Sequence, residues 1–207
     1  MSDSVMVALD FQLCCDVATS YKNATWWSGE LSALYKKTNN ERVIAIPGTK
    51  KEIGEWLEDF EAWPIWDSKL GICHKGFRDG ALALWRNSPL SSVDFGGAIV
   101  TGHSLGGALA LLLGAIMTIN NSVPKAIVTF GAPRCGSWKV RNILKSVPIR
   151  SYRNGNDPVP DVPWLPGVYV RPRAQIEIGE PQHDPLVCHH IGSYQEAVYN
   201  FPNHIAS

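Results

Sequence analysis

The chain has 207 residues, 45% hydrophobic and 18% charged, which is enough apolar material for one sizeable core and too little length for two full domains. Nineteen Lys and Arg balance nineteen Asp and Glu with no run of one sign, so nothing favours nucleic acid or an anionic membrane surface as a partner. The N-terminus lacks a basic segment and is interrupted by Asp3 and Asp10, the longest apolar stretch (108–116) is too short for a bilayer, and five cysteines without CxxC spacing read as free thiols. The expectation is an intracellular, cytoplasmic chain without a secretory leader.

Taken in order, residues 5–21 place Val7, Phe11, Leu13, Cys14 and Val17 at spacings compatible with an opening helix. Residues 42–46 are a β-branched run closed by Pro47-Gly48, which predicts a buried strand and a turn. Residues 51–63 set Ile53, Trp56, Leu57, Phe60 and Trp63 on one helical face, with the acidic residues mostly elsewhere. A further helical pattern covers 77–86. A second strand at 97–101 runs into Gly102-His103-Ser104-Leu105-Gly106-Gly107 and then a helix over 108–117. Residues 125–130 predict a third strand, closed by Gly131, and 149–153 a fourth. Residues 168–170 and 176–178 are further short strand candidates, and 193–199 a terminal helix. No internal repeat or low-complexity linker divides the chain, so residues 1–207 read as a single domain. Strands alternating with helices predict an α/β fold, a mostly parallel sheet covered on both faces.

The segment Gly102 to Gly106 fits G-x-S-x-G. Its placement between a strand and an apolar helix is what a nucleophile elbow requires. Such a turn strains the serine backbone, demands small residues two positions away, and lifts Oγ above the sheet. It also aims the helix N-terminus at a developing oxyanion.

Residues 99–110, Ile-Val-Thr-Gly-His-Ser-Leu-Gly-Gly-Ala-Leu-Ala, resemble the elbow of the class 3 (fungal-type) lipases, members of the α/β-hydrolase superfamily. Three further stretches are similar to segments of that family and occur in its order: Cys73-His-Lys-Gly-Phe77, Thr129-Phe-Gly-Ala-Pro-Arg134 and Asn156-Asp-Pro-Val-Pro160. The resemblance covers roughly residues 40 to 200 and implies a serine carboxylic-ester hydrolase, lipase or esterase, with Ser104 as nucleophile. It implies a small-molecule or lipid ester as substrate and transient contact with a lipid interface. It calls for no cofactor and no metal.

A serine hydroxyl needs a histidine base, and the histidine a carboxylate that sets its tautomer; in α/β-hydrolases they follow in the order Ser, Asp or Glu, His. Among the downstream carboxylates, Asp157 follows a short strand in a Gly-Asn-Asp-Pro turn, and the family's aspartate falls on it as well. Asp161 is the alternative, with a reading as a surface loop residue. For the base, His183, His189, His190 and His204 are available. The resemblance places it shortly before a Tyr that opens the last helix, which selects His189 in His189-His190-Ile-Gly-Ser-Tyr194, with His190 as runner-up. His74 and His103 are explained as scaffold residues flanking their motifs. Leu105 N–H, after the nucleophile, suits one oxyanion donor. The resemblance assigns the other to Thr49, with Pro47 standing where the family usually has Arg.

The segment 50–73 occupies the position of the lid in the resembling lipases. Its apolar face and Trp66 would cover an acyl groove, or the same helix packs on the core. Trp164 and Tyr169 form a second aromatic group after Asp157, offered as part of an acyl pocket. Two other classes of function stay open on the residues alone: thioester or amide cleavage or acyl transfer on the same three residues, and a non-catalytic binding protein that kept the fold.

Overall fold

The computed structural model describes residues 3–38, 41–49, 54–55, 63–90 and 95–201. The chain opens with α1 (Asp3–Ser20), followed by β1 (Trp26–Ser28), β2 (Leu31–Lys37) and β3 (Arg42–Ile46). A two-stranded hairpin, β4 (Pro64–Asp67) and β5 (Gly71–His74), leads into α2 (Lys75–Asn87). Then come β6 (Ile99–His103), α3 (Leu105–Ile119), β7 (Ala126–Phe130), α4 (Trp138–Ile143) and β8 (Ile149–Asn154). A 3₁₀ turn at Val159–Asp161, β9 (Gln175–Ile178), α5 (Pro185–His189) and α6 (Ile191–Asn200) complete it.

The main sheet has the order β1-β2-β3-β6-β7-β8-β9. The first two pairings are antiparallel and the remaining four parallel. The parallel strands therefore present their carboxyl ends along one edge, where open α/β sheets carry their sites.

Alternation along the central strands builds two cores. Ile44, Ile46, Val100 and Ile127 face one side and pack with Phe77, Ala81 and Leu84 of α2, the apolar body of α3 and Val140 of α4. Val43, Ala45, Ile99, Val128 and Phe130 face the other and pack with Leu13, Cys14 and Val17 of α1 and Tyr194 and Val198 of α6. This period of two explains why β3, β6 and β7 read as unbroken apolar runs: both faces are covered. Each fully buried Leu, Ile or Phe contributes about 1.5–3 kcal/mol. Among the described residues, no helix is long and apolar enough to cross a membrane.

The mostly parallel sheet with helices on both faces is as expected, and most central elements lie within two residues of their expected bounds. Two readings differ. Residues 168–170 do not form a strand; only Val170 bridges, to Gly136. The hairpins were not anticipated: β1–β2 turns through Gly29-Glu30 with Gly29 at φ 63, the left-handed backbone that favours glycine at the first position of a two-residue loop. Of the expected helix 51–63, Gly54 and Glu55 are helical, Trp63 precedes β4, and the rest lies outside the described residues.

One buried ionic contact ties the N-terminal helix to the sheet. Asp10, fully buried, accepts two hydrogen bonds from the Arg150 guanidinium of β8 and one from Tyr152 Oη at 2.6 Å. Asp10→Ala leaves both donors without their acceptor and is expected to cost about 3–5 kcal/mol in equilibrium denaturation. Lys75→Ala, which breaks the exposed Lys75–Asp79 pair, is expected to change stability by about 0–1 kcal/mol.

Candidate active site

The ends of β3, β6 and β7 meet at the turn that holds Ser104. The chain leaves β6 and enters α3 through Ser104 itself, at φ 55 and ψ −128. A non-glycine residue held there stores on the order of 1–3 kcal/mol. The strain is locked in by hydrogen bonds: Ser104 N–H donates to Phe130 O at 2.9 Å, and Ser104 O accepts from Gly107 N–H at 2.9 Å. Glycines make the turn sterically feasible. A Cβ on Gly102 would lie 2.2 Å from Gly106 O, and one on Gly106 would lie 2.2 Å from Ile46 O. The N-terminus of α3 is thereby pressed against the end of β3. Leu105 and Gly106 contribute the first amides of α3, which have no intrahelical acceptor and carry the positive end of the helix dipole.

Asp157 sits beyond the end of β8, fully buried. Its Oδ1 accepts from Val159 N–H at 2.9 Å. Its Oδ2 accepts from His189 Nδ1 at 2.8 Å and from Tyr194 Oη at 2.7 Å. Because a carboxylate only accepts, Nδ1 carries a proton, and when the ring is neutral its lone pair therefore lies on Nε2. Tyr194 stays a phenol: burial, then the neighbouring Asp157 charge, hold its pKa well above the ordinary value. Gly131, with φ 61, passes so close that a Cβ there would lie 2.9 Å from Asp157 Oδ2 and 3.0 Å from His189 Nδ1.

His189 ends α5 and is buried, and its ring lies 4.7 Å from that of His103, the residue before Ser104. Ser104 Oγ and His189 Nε2 are both buried and carry no hydrogen bond. A buried hydroxyl and a buried imidazole nitrogen left unpaired cost stability. They are also the two atoms that general-base activation of a hydroxyl requires.

The remaining residues singled out from the sequence fall as follows. His190 is exposed and caps α6, and His183 is exposed. Asp161 does not approach a histidine; it meets Arg134, Arg153 and Arg171 at 3.3, 3.1 and 2.6 Å. Thr49 follows Gly48 in the loop after β3. A Cβ on Gly48 would lie 3.0 Å from Ser104 Cβ, so this loop crosses directly over the serine. His74 caps α2 by accepting from Phe77 N–H. The aromatic pair after Asp157 splits: Trp164 is 73% exposed, whereas Tyr169 is buried near His74. Of the proposed lid, 50–53 and 56–62 lie outside the described residues, and Trp63 and Trp66 are exposed. Sequence reasoning missed Tyr194 as a partner of Asp157, having used it only as a landmark for the histidine. It also missed Tyr21, which no motif marks.

The profile of the lipase (class 3) family matches residues 43–166. The chain is 37% identical over 103 residues to phospholipase A1-Igamma2, chloroplastic, of Arabidopsis thaliana, covering 45% of this chain and 19% of that one. It is 39% identical over 67 residues to secreted mono- and diacylglycerol lipase 1 of Fusarium solani, covering 31% and 20%. The matches thus span about a fifth of the length of these curated relatives. Among solved structures, the lipase of Rhizomucor miehei in its propeptide complex superposes with a TM-score of 0.72 at 22% identity, covering 86% of this chain and 70% of that one, a likeness of fold. With the family profile matched from β3 to β8, across the elbow and the Asp157 turn, the chain belongs to the lipase (class 3) family.

Proposed function

We propose that this chain hydrolyses carboxylic esters of lipid type through an acyl-enzyme on Ser104, with His189 as general base and Asp157 as its orienting carboxylate. The observation that carries the reading is the buried Asp157–His189 hydrogen bond of 2.8 Å beside a strained serine at a helix N-terminus. The lone pair on His189 Nε2 takes the Ser104 proton as Oγ attacks the ester carbon. The carbonyl oxygen becomes an oxyanion, stabilised by Leu105 N–H at the start of α3 and by Thr49 in the loop above the serine. Collapse expels the alcohol, which takes the proton back from His189. Water, deprotonated by the same nitrogen, then releases the acid. The relatives act on a phospholipid and on mono- and diacylglycerols, as their names state. Their common bond, an acyl ester, is the substrate class proposed for this chain.

The first test is covalent. Ser104→Ala is expected to lose ester hydrolysis by at least about 10³-fold and all labelling by a fluorophosphonate, with a thermal midpoint no lower than that of wild type, since the hydroxyl removed is unpaired. A wild-type protein that resists the probe, under conditions that label a control serine esterase, would overturn the reading.

The second test concerns the adjacent histidines. His189→Ala is expected to lower kcat by about 10³–10⁴-fold. His190→Ala is expected to stay within about threefold of wild type, since its side chain is exposed and makes no cap hydrogen bond to α6. A dead His190→Ala with an active His189→Ala would move the base by one residue. A p-nitrophenyl ester series of varied acyl length, run on the same proteins, reads out the acyl preference directly.

A further inference from the structure

We propose that Tyr21 and His103 are positioning residues, a buried relay that holds the loop above Ser104 and the backbone of His189 in register with each other. The inference rests on the Ser104–His189 reading and extends it to two residues that lie outside the catalytic chemistry itself.

The geometry is a continuous chain of three hydrogen bonds. Gly48 N–H donates to Tyr21 Oη at 2.9 Å. Tyr21 Oη lies 2.7 Å from His103 Nδ1. His103 Nε2 lies 2.7 Å from the backbone oxygen of His189. Proton accounting gives the chain one direction. The His189 carbonyl only accepts, so Nε2 carries the proton. Burial, foremost, keeps the His103 ring neutral by pushing its pKa well down, so Nδ1 is a bare acceptor. Tyr21 must then donate its single proton to Nδ1. Burial raises its pKa to about 12, which keeps that proton in place. An Oη lone pair remains for Gly48 N–H. Every side-chain polar atom of Tyr21 and His103 is used, and with a neutral ring this is the one arrangement of protons that satisfies all three contacts.

The relay joins parts of the chain that are far apart: the residue after α1, the loop after β3, the end of β6 and the end of α5. Two consequences follow for the site. First, Gly48 N–H is already spent on Tyr21, so it is not an oxyanion donor; it anchors the glycine that immediately precedes Thr49. That glycine is tightly enclosed, since a Cβ on it would lie 2.6 Å from Tyr21 Oη. Second, the His189 backbone is pinned by His103 while its ring is pinned by Asp157, so the imidazole is fixed at both ends. Orientation of donors and base matters most in the transition state. Loss of the relay therefore lowers kcat rather than substrate binding.

The test uses the whole chain and three variants: Tyr21→Phe, His103→Gln and the double change. Phe keeps the ring and removes only the hydroxyl. Gln places an amide N–H at the level of Nε2 for the His189 carbonyl and has no acceptor at the δ position that Nδ1 occupies, so the contact from Tyr21 is lost. Active sites are counted by fluorophosphonate labelling, so kcat is expressed per reactive serine. Tyr21→Phe is expected to lower kcat about 10- to 100-fold with KM within about threefold, the scale of a displaced oxyanion donor. Its inhibition by a trifluoromethyl ketone analogue of the substrate is expected to weaken by the same factor as kcat/KM. A non-electrophilic ether analogue should bind as in wild type. The double variant is expected to be no worse than the poorer single one, because both changes break the same Tyr21–His103 contact. A merely structural role would instead reduce the thermal midpoint and the labelled fraction, leaving kcat per labelled serine unchanged; that result overturns the proposal. Should Tyr21→Phe be recovered only unfolded, His103→Gln decides by the same comparison. An active wild type with unaffected variants sinks the relay alone, whereas a wild type inert to esters and probe sinks the hydrolase reading and the relay with it.

Discussion

The turn at Ser104 exists because three backbones meet there with no space for a side-chain carbon between them. The carbonyls of Ile46 and Pro47 at the end of β3 lie against Gly106, and Gly106 O lies against Gly102. The chain can pass from β6 into α3 only by placing Ser104 at positive φ. That conformation costs on the order of 1–3 kcal/mol and is sustained by what flanks it. Every residue of β6 is buried, and α3 is buried continuously from Gly106 to Met117. Two rigid apolar supports therefore hold a strained residue whose hydroxyl is left without a hydrogen bond.

The polar groups around the serine are organised by contrast. Asp157 is fully buried and accepts from three donors, so its carboxyl group is held in place and the ring of its histidine is oriented by Nδ1. Asp161, four residues on, is partly exposed and shared among three arginines, which makes it a loop fastener. The difference between the two carboxylates lies in burial and partners, since both follow the same strand. Tyr194 belongs to this arrangement: it accepts from Asn154 N–H at 3.1 Å and donates to Asp157, bridging the end of β8 and α6.

Elements remote from the motifs carry much of this organisation. The helix α1 covers one face of the sheet with Leu13, Cys14 and Val17 and is anchored through Asp10 to Arg150 and Tyr152. Its following residue, Tyr21, reaches the loop above the serine. The N-terminal segment, which precedes the matched stretch 43–166, is thus physically continuous with the site.

By itself, the amino-acid sequence determined the central strands, the strand–serine–helix elbow at Ser104, and the turn that carries Asp157. These are short-range patterns: apolar runs of strand length, glycines at fixed offsets, and a Gly-Asn-Asp-Pro turn. The β1–β2 hairpin was weakly legible, because its strands are partly exposed and carry no strict alternation; Gly29-Glu30 was the available signal. Between the two histidines at 189 and 190, the spacing to Tyr194 in the resembling family favours His189 and keeps His190 as runner-up. Only the packing of α5 and α6 buries one against Asp157 and leaves its neighbour in solvent. The same holds for Trp164 and Tyr169, which share a loop and part in burial. Tyr21, His103 and Gly48 are separated by tens of residues, and no periodicity connects them. Hydrogen bonds between such positions depend on where whole elements dock, so only the tertiary structure decided them.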